Sequence, residues 1–220
     1  MSAQPAPGEL ASLKKAAEVV DLGLRACEAY GRGDLAGRLK AVRRSLADPA
    51  VHIVVAGEFK QGKSSLVNAL IGANVCPVDD DVATAVPTYV RYGPQAKAEL
   101  LFDGDPMRRE EVSLEEVRRY VVEDGRPRPD ASAPRVAGVE VAVPRNMLAG
   151  GLVIVDTPGV GGLGSAHAAA SLAAITMARA VIFVTDASQE LTRSEFDFLR
   201  RARTMCDTVI CVVTKTDFYP

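Results

Sequence analysis

This chain lacks several features that would each place a protein in a class of its own. It has no basic excess: 26 Lys and Arg stand against 28 Asp and Glu, whereas a nucleic-acid surface needs clustered positive charge. Its arginine pairs, such as Arg43-Arg44 and Arg118-Arg119, are scattered among acids, as on solvated faces. No stretch reaches the roughly 18 apolar residues of a membrane-spanning helix. The opening MSAQPAPGEL has neither the basic region nor the apolar core of a secretion signal. Cys27, Cys76, Cys206 and Cys211 are not spaced as paired zinc ligands, and no histidine lies near any pair of them. No internal repeat is visible. What is there is ordinary for a globular domain, 48% apolar and 25% charged, and free thiols suit a reducing, cytoplasmic setting.

The first fifty residues read as two helices. Apolar side chains at Leu10, Leu13, Ala17, Val20, Leu24 and Cys27 recur in steps of three and four, the seam of a helix packed lengthwise on others. Gly31-Arg32-Gly33 breaks that helix, Asp34 can cap the next, and Leu35, Leu39, Val42 and Leu46 repeat the spacing up to Asp48-Pro49. From there apolar strands alternate with helices. Strands are expected over 51–56, 86–92, 96–102, 135–143, 152–156, 181–185 and 209–213. The second and third of these flank Gly93-Pro94 and read as a hairpin. Helices are expected over 64–71, from the capping box Ser113…Glu116 to about residue 123, from the glycine-rich piece 159–164 to about residue 178, and after the cap Thr192…Glu195. Asp124 to Pro134, rich in Pro and Arg, reads as a surface loop. Such alternation predicts an α/β domain over 50–220, a three-layer, mostly parallel sheet with its ligands at the strands' carboxyl ends, preceded by a helical hairpin over 1–49.

Three segments carry the chemistry. Gly57-Glu58-Phe59-Lys60-Gln61-Gly62-Lys63-Ser64 fits the phosphate-loop pattern G-x-x-x-x-G-K-[ST] in full, between an apolar strand and a helix-compatible run. Glycines let successive N–H groups turn into one concavity, the following helix adds its positive end, Lys63 reaches the outer phosphates and the Ser64 hydroxyl suits Mg2+. Asp156-Thr157-Pro158-Gly159 follows a second apolar strand. There Asp156 can hold Mg2+ through water, and the Gly159 N–H can meet a γ-phosphate that any side chain would obstruct. Thr214-Lys215-Thr216-Asp217 follows the last strand. The Asp217 carboxylate can accept from the ring N–H and amine of guanine, donors that adenine does not present together, and the Lys215 stem can lie across the base. Lys60 reads either as a charge for the phosphates or as a solvated side chain.

With these motifs in place, the chain resembles a GTPase of the dynamin superfamily, in particular a bacterial dynamin-like protein, and its phosphate-loop wording is similar to the actinobacterial isoniazid-inducible group. The discriminating segment is Val82-Ala83-Thr84-Ala85-Val86-Pro87-Thr88, similar to the family's switch, a threonine two residues ahead of Val86-Pro87. The resemblance implies a Ras-like domain that binds GTP or GDP through Gly57, Lys60, Gln61, Gly62, Lys63, Ser64, Ser65, Lys215 and Asp217. It implies Mg2+ on Ser64, Thr84 and Asp156, and catalysis by Lys63, Thr84 and Gly159, with Thr88 the runner-up to Thr84. It also implies self-association through the nucleotide face, no nucleic-acid partner, and peripheral contact of the full-length protein with the inner face of the cell membrane. Phe59 and Lys60 replace the Gln and Ser of eukaryotic dynamins, and Val160 stands where a Ras-like protein has glutamine, so those ways of activating water do not transfer. A ribosome-assembly or tRNA-modification GTPase, or a nucleotide-gated interaction module with little hydrolysis, shares the same motifs. Because the chain ends three residues after Asp217, a truncated form is expected. Its strand 209–213 should lie at the sheet edge, and its Leu10–Cys27 seam should be open on one apolar side.

Overall fold

Alternation along the apolar strands decides the architecture. In the computed structural model, which describes residues 7–47, 50–78, 84–102, 108–121, 136–159 and 166–218, eight strands form one sheet in the order β4-β3-β5-β2-β6-β1-β7-β8. They are β1 (Val51–Ala56), β2 (Thr88–Tyr92), β3 (Lys97–Phe102), β4 (Arg108–Val112), β5 (Val136–Val143), β6 (Leu152–Asp156), β7 (Ala178–Asp186) and β8 (Val209–Thr214). The helices are α1 (Pro7–Ala29), α2 (Gly33–Ala47), α3 (Lys63–Ile71), α4 (Leu114–Val121), α5 (Ala166–Ile175) and α6 (Arg193–Met205). Val55, Ile154 and Val184 join one apolar cluster with Val67 and Ile71 of α3 and Val117 and Val121 of α4. Their strand neighbours Val54, Val153 and Phe183 are equally buried and, with side chains alternating, face the other way. There Phe183 meets Phe198 of α6, ring centroids 6.1 Å apart. Both faces of the sheet are therefore covered, which is why these strands read as unbroken apolar runs.

Pairing is parallel between β1 and β7, β7 and β8, and β2 and β5. It is antiparallel between β2 and β6, β3 and β5, and β3 and β4. The expected hairpin of β2 and β3 does not form. β5 lies between them, and the Gly93 N–H donates to Val143 O at 3.1 Å. Val139, Val141 and Val143 of β5 are almost wholly buried, so the most apolar of the three strands takes the inner place and the Gly93-Pro94 link crosses it. A Cβ on Gly93 would stand 2.6 Å from that of Ala142. β4 carries Arg108, Arg109, Glu110 and Glu111, all exposed, and has no apolar signal. Two helix ends also differ from expectation: α5 stops at Ile175 because Ala178 already begins β7, and α2 starts at Gly33, leaving Asp34 inside it.

The chain divides into two units, 1–51 and 52–220. In the first, α1 and α2 lie close enough for a Cβ on Gly23 to stand 3.1 Å from Leu39 Cδ1, and Arg43 Nε donates to Asp21 Oδ1 at 2.8 Å. The expected open seam is corrected in part. Among the described side chains of α1, Val20 and Cys27 of the seam are buried and Val19 and Leu22 beside it are exposed, while those of Leu10 and Leu13 lie outside the described residues. The strand 209–213 does stand at the sheet edge, as β8. The expected loop 124–134, Val160, and Val82 and Ala83 of the switch segment lie outside the described residues.

Candidate functional site

β1 ends in the centre of the sheet and delivers the chain into a loop that is fixed on both sides. At Gly57 an added Cβ would sit 2.1 Å from the Val184 carbonyl oxygen, so the backbone of β7 itself demands glycine. Lys60 and Gly62 both turn left-handed, φ 64° and 82°, and such alternation bends neighbouring N–H groups into one concavity. α3 then begins at Lys63 with no side-chain cap on Gly62 and no acid in its first turn. Its first N–H groups and positive dipole end are thus left for an anion.

Inside this cradle Lys63 is buried, its Nζ donating to the Glu58 carbonyl at 2.6 Å. Burial pulls its pKa below the ordinary lysine value, while the charges of Asp156 and Glu58 oppose the fall. Ser64 Oγ donates to Asp156 Oδ2 at 2.6 Å. Asp156, at the end of β6, is fully buried, and burial raises its pKa against the Ser64 bond and the Lys63 charge. Its second oxygen, Oδ1, has no hydrogen-bond partner among the described residues. A buried carboxylate oxygen left over beside the Ser64 hydroxyl, with the Cys76 thiol also against this carboxylate, is an oxygen-donor corner that fits a hard cation such as Mg2+, which takes few protein ligands and completes its shell with water and phosphate.

The segment after Asp156 is clipped in place from two sides. Thr157 Oγ1 donates to Val55 O at 2.8 Å, and Ser171 Oγ of α5 donates to Pro158 O at 2.9 Å. Gly159 comes against the phosphate loop, where an added Cβ would be 3.0 Å from Phe59 N. From the far end of the chain, Thr214 Oγ1 donates to the Gln61 carbonyl at 2.8 Å. The segment after β8 is thereby hung on the phosphate loop. Lys215 is left-handed, φ 54°, and its Nζ meets Asp186 Oδ2 at 3.2 Å. Asp217 follows in a short 3-10 turn, Thr216–Phe218, exposed to solvent.

The three motifs read from sequence are thus joined by hydrogen bonds: Ser64 to Asp156, and Gln61 to Thr214. Ser65 is exposed on the first turn of α3, and the Lys60 ammonium lies 5.5 Å from the Phe59 ring centre. Thr84 is half-buried just ahead of β2, and among the described residues no hydrogen bond joins it to Ser64 or Asp156. Thr88 is fully buried, pairs in register with Asp156, and leaves Oγ1 without a partner.

Several side-chain partnerships that complete the site carry no signal in the motifs. Gln61 spends its side chain on α6, where Nε2 donates to Glu195 Oε1 at 2.8 Å. Glu58 Oε1 accepts from Thr192 Oγ1 at 3.0 Å and from Ser194 Oγ. Ser171 and Asp186 are equally silent, whereas the Thr192…Glu195 cap was legible only as a helix start.

The dynamin family model matches residues 53–216. Isoniazid-induced protein IniA of Mycobacterium tuberculosis (strain ATCC 25618 / H37Rv) is 40% identical over 206 residues, 92% of this chain and 32% of that protein. The bacterial dynamin-like protein of Nostoc punctiforme is 31% identical over 162 residues, 71% of this chain and 23% of that protein. A solved structure of an oligomerised bacterial dynamin pair has the same fold, with a TM-score of 0.62 at 21% identity over 85% of this chain and 29% of its own. The chain spans about a third of the length of the mycobacterial relative. A family match over most of the sheet leads to one assignment: the chain belongs to the dynamin family and carries its GTPase domain.

Proposed function

We propose that this chain binds GTP with Mg2+ and hydrolyses it to GDP and phosphate, as the nucleotide-driven module of a membrane-remodelling, dynamin-like protein. The observation that carries the reading is the Ser64–Asp156 hydrogen bond of 2.6 Å beside an unpaired Asp156 oxygen. It brings two segments distant in sequence to the one corner where a metal-bound triphosphate requires them. The loop amides and Lys63 bind and orient the phosphates, and Lys63 gives up its Glu58 carbonyl for them. Ser64, Asp156 and Thr84 would hold Mg2+, which when bound would supply positive charge to offset that of the phosphate oxygens. Gly159 offers its N–H to the γ-phosphate, and Thr84, by family resemblance, orients the attacking water. Asp217 accepts from guanine, with Lys215 across the base.

The membrane role is supported by the relatives: the bacterial dynamin pair is one that senses and tethers membranes. In this reading the nucleotide face also mediates self-association, and regions beyond these residues touch the membrane. Among the described residues no helix is long and apolar enough to cross one.

Phosphate release from GTP, measured with Lys63→Ala and Thr84→Ala as controls, tests hydrolysis. Loss of a single preorganised donor costs about a hundredfold, and turnover unchanged by both substitutions would leave a nucleotide-gated binding module instead. Asp217→Asn tests the base. It should weaken GDP binding about 10- to 100-fold, the worth of hydrogen bonds to a charged acceptor, and unchanged affinity would refute the guanine assignment.

A further inference from the structure

We propose that the first turn of α6 is a clamp for the phosphate loop, in which Glu195 is the positioning residue for Gln61 while Thr192 and Ser194 hold Glu58. The inference rests on reading the loop as a guanine-nucleotide site. Glu58 and Gln61 flank the loop's exposed tip, Phe59-Lys60, and both side chains leave the cleft for the same helix end. Glu58 Oε1 accepts from Thr192 Oγ1 at 3.0 Å and from Ser194 Oγ, and Gln61 Nε2 donates to Glu195 Oε1 at 2.8 Å.

The chain holds its own control for what a capping glutamate needs. On α4, Glu116 accepts from the Ser113 N–H at 3.0 Å and remains exposed. On α6, Glu195 accepts from the Thr192 N–H at 2.7 Å in the same way, yet it is completely buried. Burying a carboxylate is costly unless its hydrogen bonds are made, and capping alone does not require it. What distinguishes Glu195 is that its second oxygen is committed to Gln61.

Gln61 is consequently held twice, by its side chain to α6 and by its carbonyl to Thr214 of β8, each at 2.8 Å. It stands between two left-handed residues, Lys60 and Gly62. For lysine that conformation is strained, and it persists because the residues on either side of the tip are fastened. The loop amides are thus arranged before any phosphate arrives, and a ligand binds without the cost of ordering them.

The donors can be counted to design the test. Glu195 uses one oxygen for Gln61 and the other for Thr192, and an amide can satisfy only one of these. Glu195→Gln therefore breaks either the clamp or the cap. The swap Gln61→Glu with Glu195→Gln lets residue 195 donate to residue 61 and still accept from Thr192. Affinity for GDP is read by titration with a fluorescent guanine nucleotide, beside thermal unfolding without nucleotide. The expected results are about tenfold weaker binding for Glu195→Gln, recovery to within about threefold for the swap, and about threefold weakening for Ser194→Ala, which leaves the Thr192–Glu195 box intact. If Glu195→Gln does not fold, Ser194→Ala decides. Variants whose unfolding midpoint falls while GDP affinity stays at the wild-type value would make Glu195 a cap and nothing more. Wild-type protein that binds no guanine nucleotide removes the site reading together with the clamp. Wild-type binding that Glu195→Gln and Ser194→Ala leave unchanged removes the clamp alone.

Discussion

Gly57→Ala is the sharpest perturbation that the structure offers, because the clash falls on an atom that cannot retreat. The added Cβ would stand 2.1 Å from the Val184 carbonyl oxygen, where carbon and oxygen ordinarily keep about 3.3–3.6 Å. Something must therefore move by about 1.2 Å or more. Val184 belongs to β7, paired with β1 on one side and β8 on the other, so its displacement would open two ladders and the loop yields instead. A shift of that size takes Gln61 out of reach of both Glu195 and Thr214, each now 2.8 Å away, since such bonds fade beyond about 3.2 Å. One is a neutral bond worth about 1 kcal/mol and the other a bond to a carboxylate worth about 1.5–3 kcal/mol, some 3 kcal/mol together. If that loss falls on the loop's bound geometry, GDP affinity drops roughly 100-fold. If it falls on the fold, the urea midpoint drops by the equivalent amount. Nucleotide titration and urea unfolding of the same variant capture both. An affinity within about threefold of wild type with an unmoved urea midpoint would refute the steric reasoning.

Two further outcomes follow from the packing. Phe198→Ala removes a buried ring set against Phe183 and should cost about 3–5 kcal/mol. For a domain of this size that is roughly 6–20 °C in Tm, and a fall of less than about 3 °C by scanning calorimetry would contradict it. The Ser113 N–H, with the Ser113 hydroxyl after it, holds the Glu116 carboxyl below its ordinary range. Its contribution is present above the unfolded-chain value and is lost as pH falls through the lower folded value. The urea midpoint of wild type should accordingly exceed that of Glu116→Gln at neutral pH and converge with it as pH falls below that lowered value. A gap that stays constant with pH would refute the capping role.

The strands flanking the motifs were legible because their surroundings are uniform. Val51–Ala56 and Leu152–Asp156 are largely buried on both faces, and their apolar runs mark their ends to the residue. Strand adjacency was not legible. Nothing in the composition of Thr88–Tyr92 or Lys97–Phe102 says that β5 slips between β2 and β3. None of β2, β3 and β5 stands at a margin of the sheet, so their order rests on pairing across the whole sheet, which no local pattern carries. β4 was invisible for the opposite reason: Arg108 to Glu111 are exposed, and only pairing with β3, supported by Arg109 to Glu99 at 3.0 Å, makes them a strand. In the site, backbone-driven positions such as Gly57, Gly62 and Gly159 could be read because geometry restricts the residue type. The pairing of Gln61 with Glu195 could not. Their partnership spans 134 positions, and each has an ordinary local explanation, one as a loop polar residue and the other as a helix cap.

The sheet finishes differently at its two margins. β4 shows a mixture of positive and negative side chains, which discourages an intruding strand. β8 shows Ile210 and Val213 about half exposed, together with the Cys211 thiol, and no strand among the described residues lies beyond it. A molecule with one guarded border and one sticky border has a direction in which it aggregates. Concentrated or partly warmed samples should clump through the β8 rim, and Ile210→Lys or Val213→Lys should keep them in solution.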